Sequence, residues 1–182
     1  MLKAKAVRPV LFKKYFSMAF DINFQEKATV QFHIRRFLLY PSFWENTVNH
    51  VPIPLIWNLC RFEASNHGTI PREKGIYCFV VKPNVPHFFE TSYLFYVGKT
   101  NRTLYDRYKE YLNDQSGKGK PRSKVYEMLK VYRDHIYFYY AEIPAQQNVD
   151  NCEERLLNIF FPPINTLIPI AKIKPELQNI YE

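Results

Sequence analysis

Gly75-Ile76-Tyr77-Cys78-Phe79-Val80-Val81 and Tyr93-Leu94-Phe95-Tyr96-Val97-Gly98-Lys99-Thr100 are the two stretches whose reading decides the fold. β-Branched and aromatic residues crowd both runs, and a connection holding Pro83 and Pro86 parts them. Ile76–Val81 and Tyr93–Val97 therefore read as two paired strands. Downstream, the apolar spacing predicts a helix from about Thr103 to Asn113, a second over Ser123–Arg133, a buried strand over Ile136–Ile143 (IYFYYAEI), and a third helix over about Asp150–Phe161. Pro162 and Pro163 stop that last helix, because a proline lacks the N–H a helix needs and restricts the residue before it. Upstream, residues 19–70 mix aromatics with Pro41, Pro52 and Pro54, and a short extended piece followed by a helix around Leu55–Glu63 is expected.

The resulting order, ββααβα, predicts an α+β fold: a small, mainly antiparallel three-stranded sheet flanked by helices, with an N-terminal extension. Four regions follow: a basic leader over 1–17, the extension over 18–70, the principal domain over 71–168 and a tail over 169–182. At 182 residues, one hydrophobic core suffices. With 47 % hydrophobic residues and 5 glycines the chain is expected to be globular, and no apolar run approaches the roughly 18–20 residues of a bilayer span. Cys60, Cys78 and Cys152 are odd in number and lack CxxC spacing, which argues against a disulfide framework or structural zinc and for a reducing, cytoplasmic compartment. The five histidines stand singly, with no i, i+4 pair to hold a metal.

The formal charge of +8 points to a polyanionic partner. Its distribution is uneven. Lys3, Lys5, Arg8, Lys13 and Lys14 crowd the first 17 positions without any acidic residue, as a disordered tail, a targeting segment or a start assigned ahead of Met18 would. From Lys99 to Arg133 ten Lys or Arg residues face four acidic ones. Within that region the loop Asn113–Arg122 and the residue pair after it offer Lys118, Lys120, Arg122 and Lys124, suited either to tracking a phosphate backbone or to solvation.

Helical periodicity isolates further candidates. On the third helix, steps of 100° from Glu153 place Leu157 at about 40°, Phe160 at about 340° and Leu156 at about 300°, so Glu153 falls within the apolar stripe. A carboxylate there needs compensation, from a bound divalent cation or from a lysine or arginine. On the first helix Leu104, Tyr108 and Leu112 form the stripe, with Arg107 and Tyr111 one turn apart along its edge, where a guanidinium could fork onto phosphate.

Together, Gly75-Ile76-Tyr77, Tyr96-Val97-Gly98-Lys99-Thr100, Arg107, Tyr111 and the segment Glu153–Asn165 (EERLLNIFFPPIN) resemble the ordered motifs of the GIY-YIG nucleases over about half the chain. That resemblance implies a metal-dependent endonuclease hydrolysing phosphodiester bonds. It implies that Glu153 holds one Mg²⁺ or Mn²⁺, Arg107 neutralises the phosphate, and Tyr77 is the general base, with Tyr96 and Tyr111 orienting water and phosphate. Lys99 would add positive potential, Gly98 would let backbone approach phosphate, and Asn165 would order the site or meet substrate. DNA is the expected substrate; RNA cleaved at the same site, and a nucleic-acid-binding module without turnover, are the alternatives. One site per chain means that a double-strand break requires a homodimer or successive cuts. A tyrosine with the ordinary pKa of about 10 is ionised in only about one molecule in a thousand at neutral pH, so its proton must be drawn off by the site or leave during attack.

Overall fold

In the computed structural model, residues 33–118 and 122–165 are described. The chain divides into two units, Met1–Arg36 and Phe37–Glu182, and the elements below belong to the second. The expected leader over 1–17 and tail over 169–182 lie outside the described residues, as does Lys120.

The sheet is built on β2 (Gly75–Val81), which pairs antiparallel with β3 (Tyr93–Thr100) on one side and with β4 (Ile136–Glu142) on the other. A further strand, β1 (Asn58–Arg61), adds to the free side of β4, giving the order β1-β4-β2-β3. The sheet thus has four antiparallel strands instead of three, and the ββααβα order is extended by a strand from the N-terminal region. The helix expected around Leu55–Glu63 does not form; Asn58–Arg61 pairs with Tyr137–Tyr140 instead, and Phe62 N–H continues the attachment to the Ile136 carbonyl. An aromatic edge at β4 outweighs local helix preference, because strand stability rests on cross-strand partners that a short sequence window does not contain.

The helices are α1 (Pro41–Glu45), α2 (Leu104–Gln115), α3 (Ser123–Val131) and α4 (Gln146–Phe160). Alternation along β2 sorts the core into two layers. Tyr77, Phe79 and Val81 point to one face and cluster with Phe62, Phe138, Tyr96, Leu104, Tyr108, Tyr111, Met128 and Leu129, that is, beneath α2 and α3. Ile76 and Cys78 point to the other and join Val97, Val149, Cys152 and Leu157 beneath α4. A strand covered on both faces needs a nearly unbroken apolar run, which GIYCFVV supplies.

Thr103 caps α2: its hydroxyl accepts from Asp106 N–H at 2.9 Å and donates to the Asp106 carboxylate at 2.7 Å, so Asp106 fixes the capping hydroxyl through both its backbone and its side chain. Leu104 and Tyr105 N–H bond to the carbonyls of Glu73 and Pro71, fixing the start of α2 beside the entry to β2. The helix is rotated relative to the expected stripe: Leu104, Tyr108 and Tyr111 are buried, and Leu112 is only half-buried. On α4 the buried positions are Val149, Cys152, Leu157 and Ile159, while Phe160 is exposed; Glu153, one turn from both Val149 and Leu157, lies within the buried stripe as expected, its side chain 18 % exposed. At the end of α4, Phe161 takes a left-handed conformation at φ 43° ahead of the two prolines. No helix among the described residues is long and apolar enough to cross a membrane.

Candidate active site

Tyr77 stands at the centre of β2, fully buried, with its Cα opposite Gly98 of β3. A Cβ built on Gly98 would meet the Tyr77 hydroxyl at 2.5 Å and ring carbons at 2.6 and 2.8 Å. The glycine therefore makes room for the ring to lie across β3; positive φ is not required, since Gly98 does not adopt it. Gly75 has a similar constraint from backbone, its would-be Cβ meeting the Ala141 carbonyl oxygen at 2.1 Å.

Laid this way, the Tyr77 hydroxyl meets the Tyr111 hydroxyl at 3.0 Å and accepts from Arg107 Nε at 3.0 Å. Arg107 Nη2 donates to Tyr111 Oη at 3.4 Å, and Nη1 donates to the Glu110 carboxylate at 2.7 Å. Glu110 also pairs with Arg102. From the other side, Arg122, the residue before α3, places Nη2 2.8 Å from Tyr96 Oη and 3.2 Å from Tyr111 Oη. Tyr77, Tyr96, Tyr111, Arg107 and Arg122, drawn from β2, β3, α2 and the approach to α3, thus form one hydrogen-bonded cluster.

Burial pushes the Tyr77 hydroxyl well above the ordinary tyrosine range; the neighbouring Tyr96 adds to the rise and Arg107 opposes it. Tyr111 is raised for the same reasons, burial first and then Tyr77 and Tyr96. Burial disfavours the charge on Arg107, but Tyr77, Tyr111 and Glu110 more than offset it, and the guanidinium is held protonated. In this arrangement Tyr77 and Tyr111 are neutral hydrogen-bonding groups, and the two guanidiniums supply the positive charge.

Glu153 is placed elsewhere. Its carboxylate pairs with Lys99 at 2.8 Å, and the same ammonium reaches Asp150 at 2.8 Å. Lys99 stands opposite Ile76, on the face of β2 and β3 away from Tyr77, and so does not border the phenol as expected. Of the two forms of compensation open to Glu153, this is the lysine. Among the described residues no hydrogen bond or ion pair links Glu153 to the tyrosines. No described group of three or more His, Cys, Asp or Glu residues is arranged to hold a metal.

Asn165 turns to β3. Its side-chain oxygen accepts from Val97 N–H at 2.9 Å and its amide nitrogen donates to the Val97 carbonyl at 2.8 Å. With Ile164 N–H on the Phe95 carbonyl, the segment after α4 is tied to the outer edge of the sheet. Lys118 and Lys124 are exposed outside the cluster.

No family model, curated protein or solved structure matches the chain. The site accordingly rests on this chain's own geometry. Sequence reasoning found Tyr77, Tyr96, Arg107 and Tyr111 but put Arg122 in the basic loop, and it passed over Glu110 and Asp150. Helical spacing carried the signal for the last two, since Glu110 lies three residues after Arg107 and Asp150 three before Glu153.

Proposed function

We propose that the chain is an endonuclease of the GIY-YIG type that hydrolyses phosphodiester bonds in DNA, with the tyrosine–arginine cluster as its active site. The observation that carries the reading is the convergence of three phenols and two guanidiniums from four separate parts of the chain, all joined through hydroxyls. Packing alone asks only for aromatic rings. Phosphoryl transfer asks for fixed positive charge beside hydroxyl groups able to orient water and pass a proton.

Burial keeps Tyr77 protonated at rest, so it acts as a proton relay: the attacking water gives a proton to the phenol oxygen as the phenol's own proton passes to a phosphoryl oxygen of the substrate, and Arg107, 3.0 Å away, stabilises the negative charge that builds up on the phenol oxygen between the two transfers. Tyr111, bonded to Tyr77 and reached by both arginines, and Tyr96, held by Arg122, orient the attacking water and the phosphate oxygens.

Glu153 would hold Mg²⁺ or Mn²⁺. The donor chemistry fits: carboxylate oxygens of Glu153 and Asp150 already converge on a cation, the Lys99 ammonium, and a magnesium site needs only one or two carboxylates beside water and phosphate oxygens. Such an ion would supply Lewis-acid stabilisation to a phosphate oxygen bound beside α4, on the face of β2 and β3 away from Tyr77, so no step at the tyrosine cluster runs through it.

The covered hydroxyls of Tyr77 and Tyr111, and the ion pair that occupies Glu153, favour a second reading, a nucleic-acid-binding module that does not turn over. Purified protein with Mg²⁺, offered labelled double-stranded DNA, single-stranded DNA and RNA beside its Glu153→Ala variant, separates the two. Mg²⁺-dependent cleavage of DNA that is lost in the variant is expected. Binding without cleavage supports the second reading, and preferential cleavage of RNA changes the substrate while keeping the site.

A further inference from the structure

Arg107 and Arg122 reach the same hydroxyl, Tyr111 Oη, at 3.4 and 3.2 Å, yet they are bound differently. Every nitrogen of Arg107 is committed: Nε to Tyr77, Nη2 to Tyr111 and Nη1 to the Glu110 carboxylate. Its charge is already partly neutralised there. Arg122 meets the phenols through Nη2 alone among the described residues, and no described carboxylate lies within ion-pair distance of it. Asp114 feels the charge of both arginines without forming an ion pair with either. Arg122 is also the more exposed of the two. The first turn of α3, which it precedes, contains no acidic residue and carries Lys124.

We propose that Arg122 is the side chain that receives the substrate's phosphate, and that Arg107 is a positioning residue that holds Tyr77 and Tyr111 in place. This assignment rests on the phosphodiesterase reading above. A phosphoryl oxygen carries the negative charge that a neutral phenol oxygen lacks, and a phosphate can take two parallel bonds from the guanidinium fork, so it is the stronger partner. An arriving phosphodiester therefore draws the Arg122 fork away from Tyr96 and Tyr111 and leaves those hydroxyls facing the bound phosphate. Arg107 is less able to make the same exchange, because Glu110 already engages its Nη1 and part of its charge.

The test follows the Nε–H resonances of both arginines in the folded protein, assigned with Arg122→Lys and Arg107→Lys, during titration with inorganic phosphate and with a deoxydinucleotide. Movement of the Arg122 resonance with both probes while Arg107 stays in place is the expected result. Movement of Arg107 instead, equal movement of both, movement of neither, or a response to inorganic phosphate only overturns the assignment. In parallel, Arg122→Gln should lower kcat/KM for DNA roughly 10- to 100-fold, the loss of one charge-assisted contact. Thermal melting is used to verify that the variant folds. Arg122→Lys should recover only part of the rate, since an ammonium lacks the fork. Wild-type cleavage undiminished by Arg122→Gln overturns the phosphate role and leaves the nuclease reading standing. An Arg122 phosphate response in a protein that cleaves nothing sinks the nuclease reading and leaves the phosphate site standing.

Discussion

Gly98→Ala should damage this protein through Tyr77 and nothing else. The added methyl would lie 2.5 Å from the Tyr77 hydroxyl and within 2.8 Å of two ring carbons, so the ring must move. Overpacking of a tight core costs about 1–3 kcal/mol. The ring cannot tilt freely, because its hydroxyl is held by Tyr111 and Arg107, and giving up those two bonds adds about 1 kcal/mol each. The total is about 3–5 kcal/mol, a large share of the roughly 5–15 kcal/mol that stabilises a typical domain. Urea unfolding of five variants, Tyr77→Leu and its double with Gly98→Ala included, measures it. Gly98→Ala should lose about that amount. Gly75→Ala should lose more, since its obstacle is the Ala141 carbonyl, which has no rotamer to escape into. Gly68→Ala, with nothing within 4 Å of the new methyl, should be neutral or slightly stabilising. In a Tyr77→Leu background, where the ring is gone, Gly98→Ala should cost less than about 1 kcal/mol. If its cost is unchanged in that background, the two residues are not coupled and the explanation of the glycine fails.

Other expectations follow from the same geometry. Asn165→Ala removes both bonds to Val97 and should destabilise by about 1–3 kcal/mol; Asn165→Asp, which keeps an acceptor but sets a carboxylate against the Val97 carbonyl, should recover little, and full recovery would show that the donated bond is dispensable. Because burial raises Tyr77 and Tyr111, the folded chain retains protons that unfolded tyrosines release above a pH of about 10. Stability should therefore be insensitive to these groups below that pH and fall above it, by up to about 1.4 kcal/mol per pH unit for each. Absorbance titration of the phenols checks this, and ordinary ionisation of both with the fold intact would contradict it. Arg107→Lys should loosen the Tyr77–Arg107–Glu110 chain and shift the pH dependence of cleavage, because an ammonium cannot hold three partners in one plane; an unchanged profile would show that Arg107 supplies charge alone.

The strands β2 and β3 were legible because GIYCFVV and YLFYVGKT combine β-branched and aromatic residues with a clear break between them. The strand at Asn58–Arg61 was not, since NLCR pairs only because β4 presents an unpaired aromatic edge nearly 80 positions later. Arg107 and Tyr111 could be selected by helical spacing, and Tyr77 and Tyr96 by the motif resemblance, but that they touch through hydroxyls is a property of the folded faces. Arg122 illustrates the difference. Beside Lys118, Lys120 and Lys124 it reads as one more basic loop residue, and only the packing of α2 against α3, with Gln115 bonded to the Leu129 carbonyl, brings it to Tyr96 and Tyr111. Glu153 shows the reverse case. Periodicity identified a carboxylate in need of a partner, and the sequence left both a metal and a basic side chain open; the partner in the fold is Lys99.

The central claim is that the tyrosine–arginine cluster performs phosphodiester hydrolysis, and single-turnover cleavage of labelled DNA by wild type and Tyr77→Phe, with Mg²⁺ present and both proteins matched by melting temperature, tests it most directly. Phe keeps the ring that fills the space over Gly98 and removes only the hydroxyl that Tyr111 and Arg107 hold. The account predicts that Tyr77→Phe folds, binds DNA like wild type and cleaves at least about 100-fold more slowly, the scale of a lost general base. Cleavage by Tyr77→Phe at the wild-type rate would contradict it.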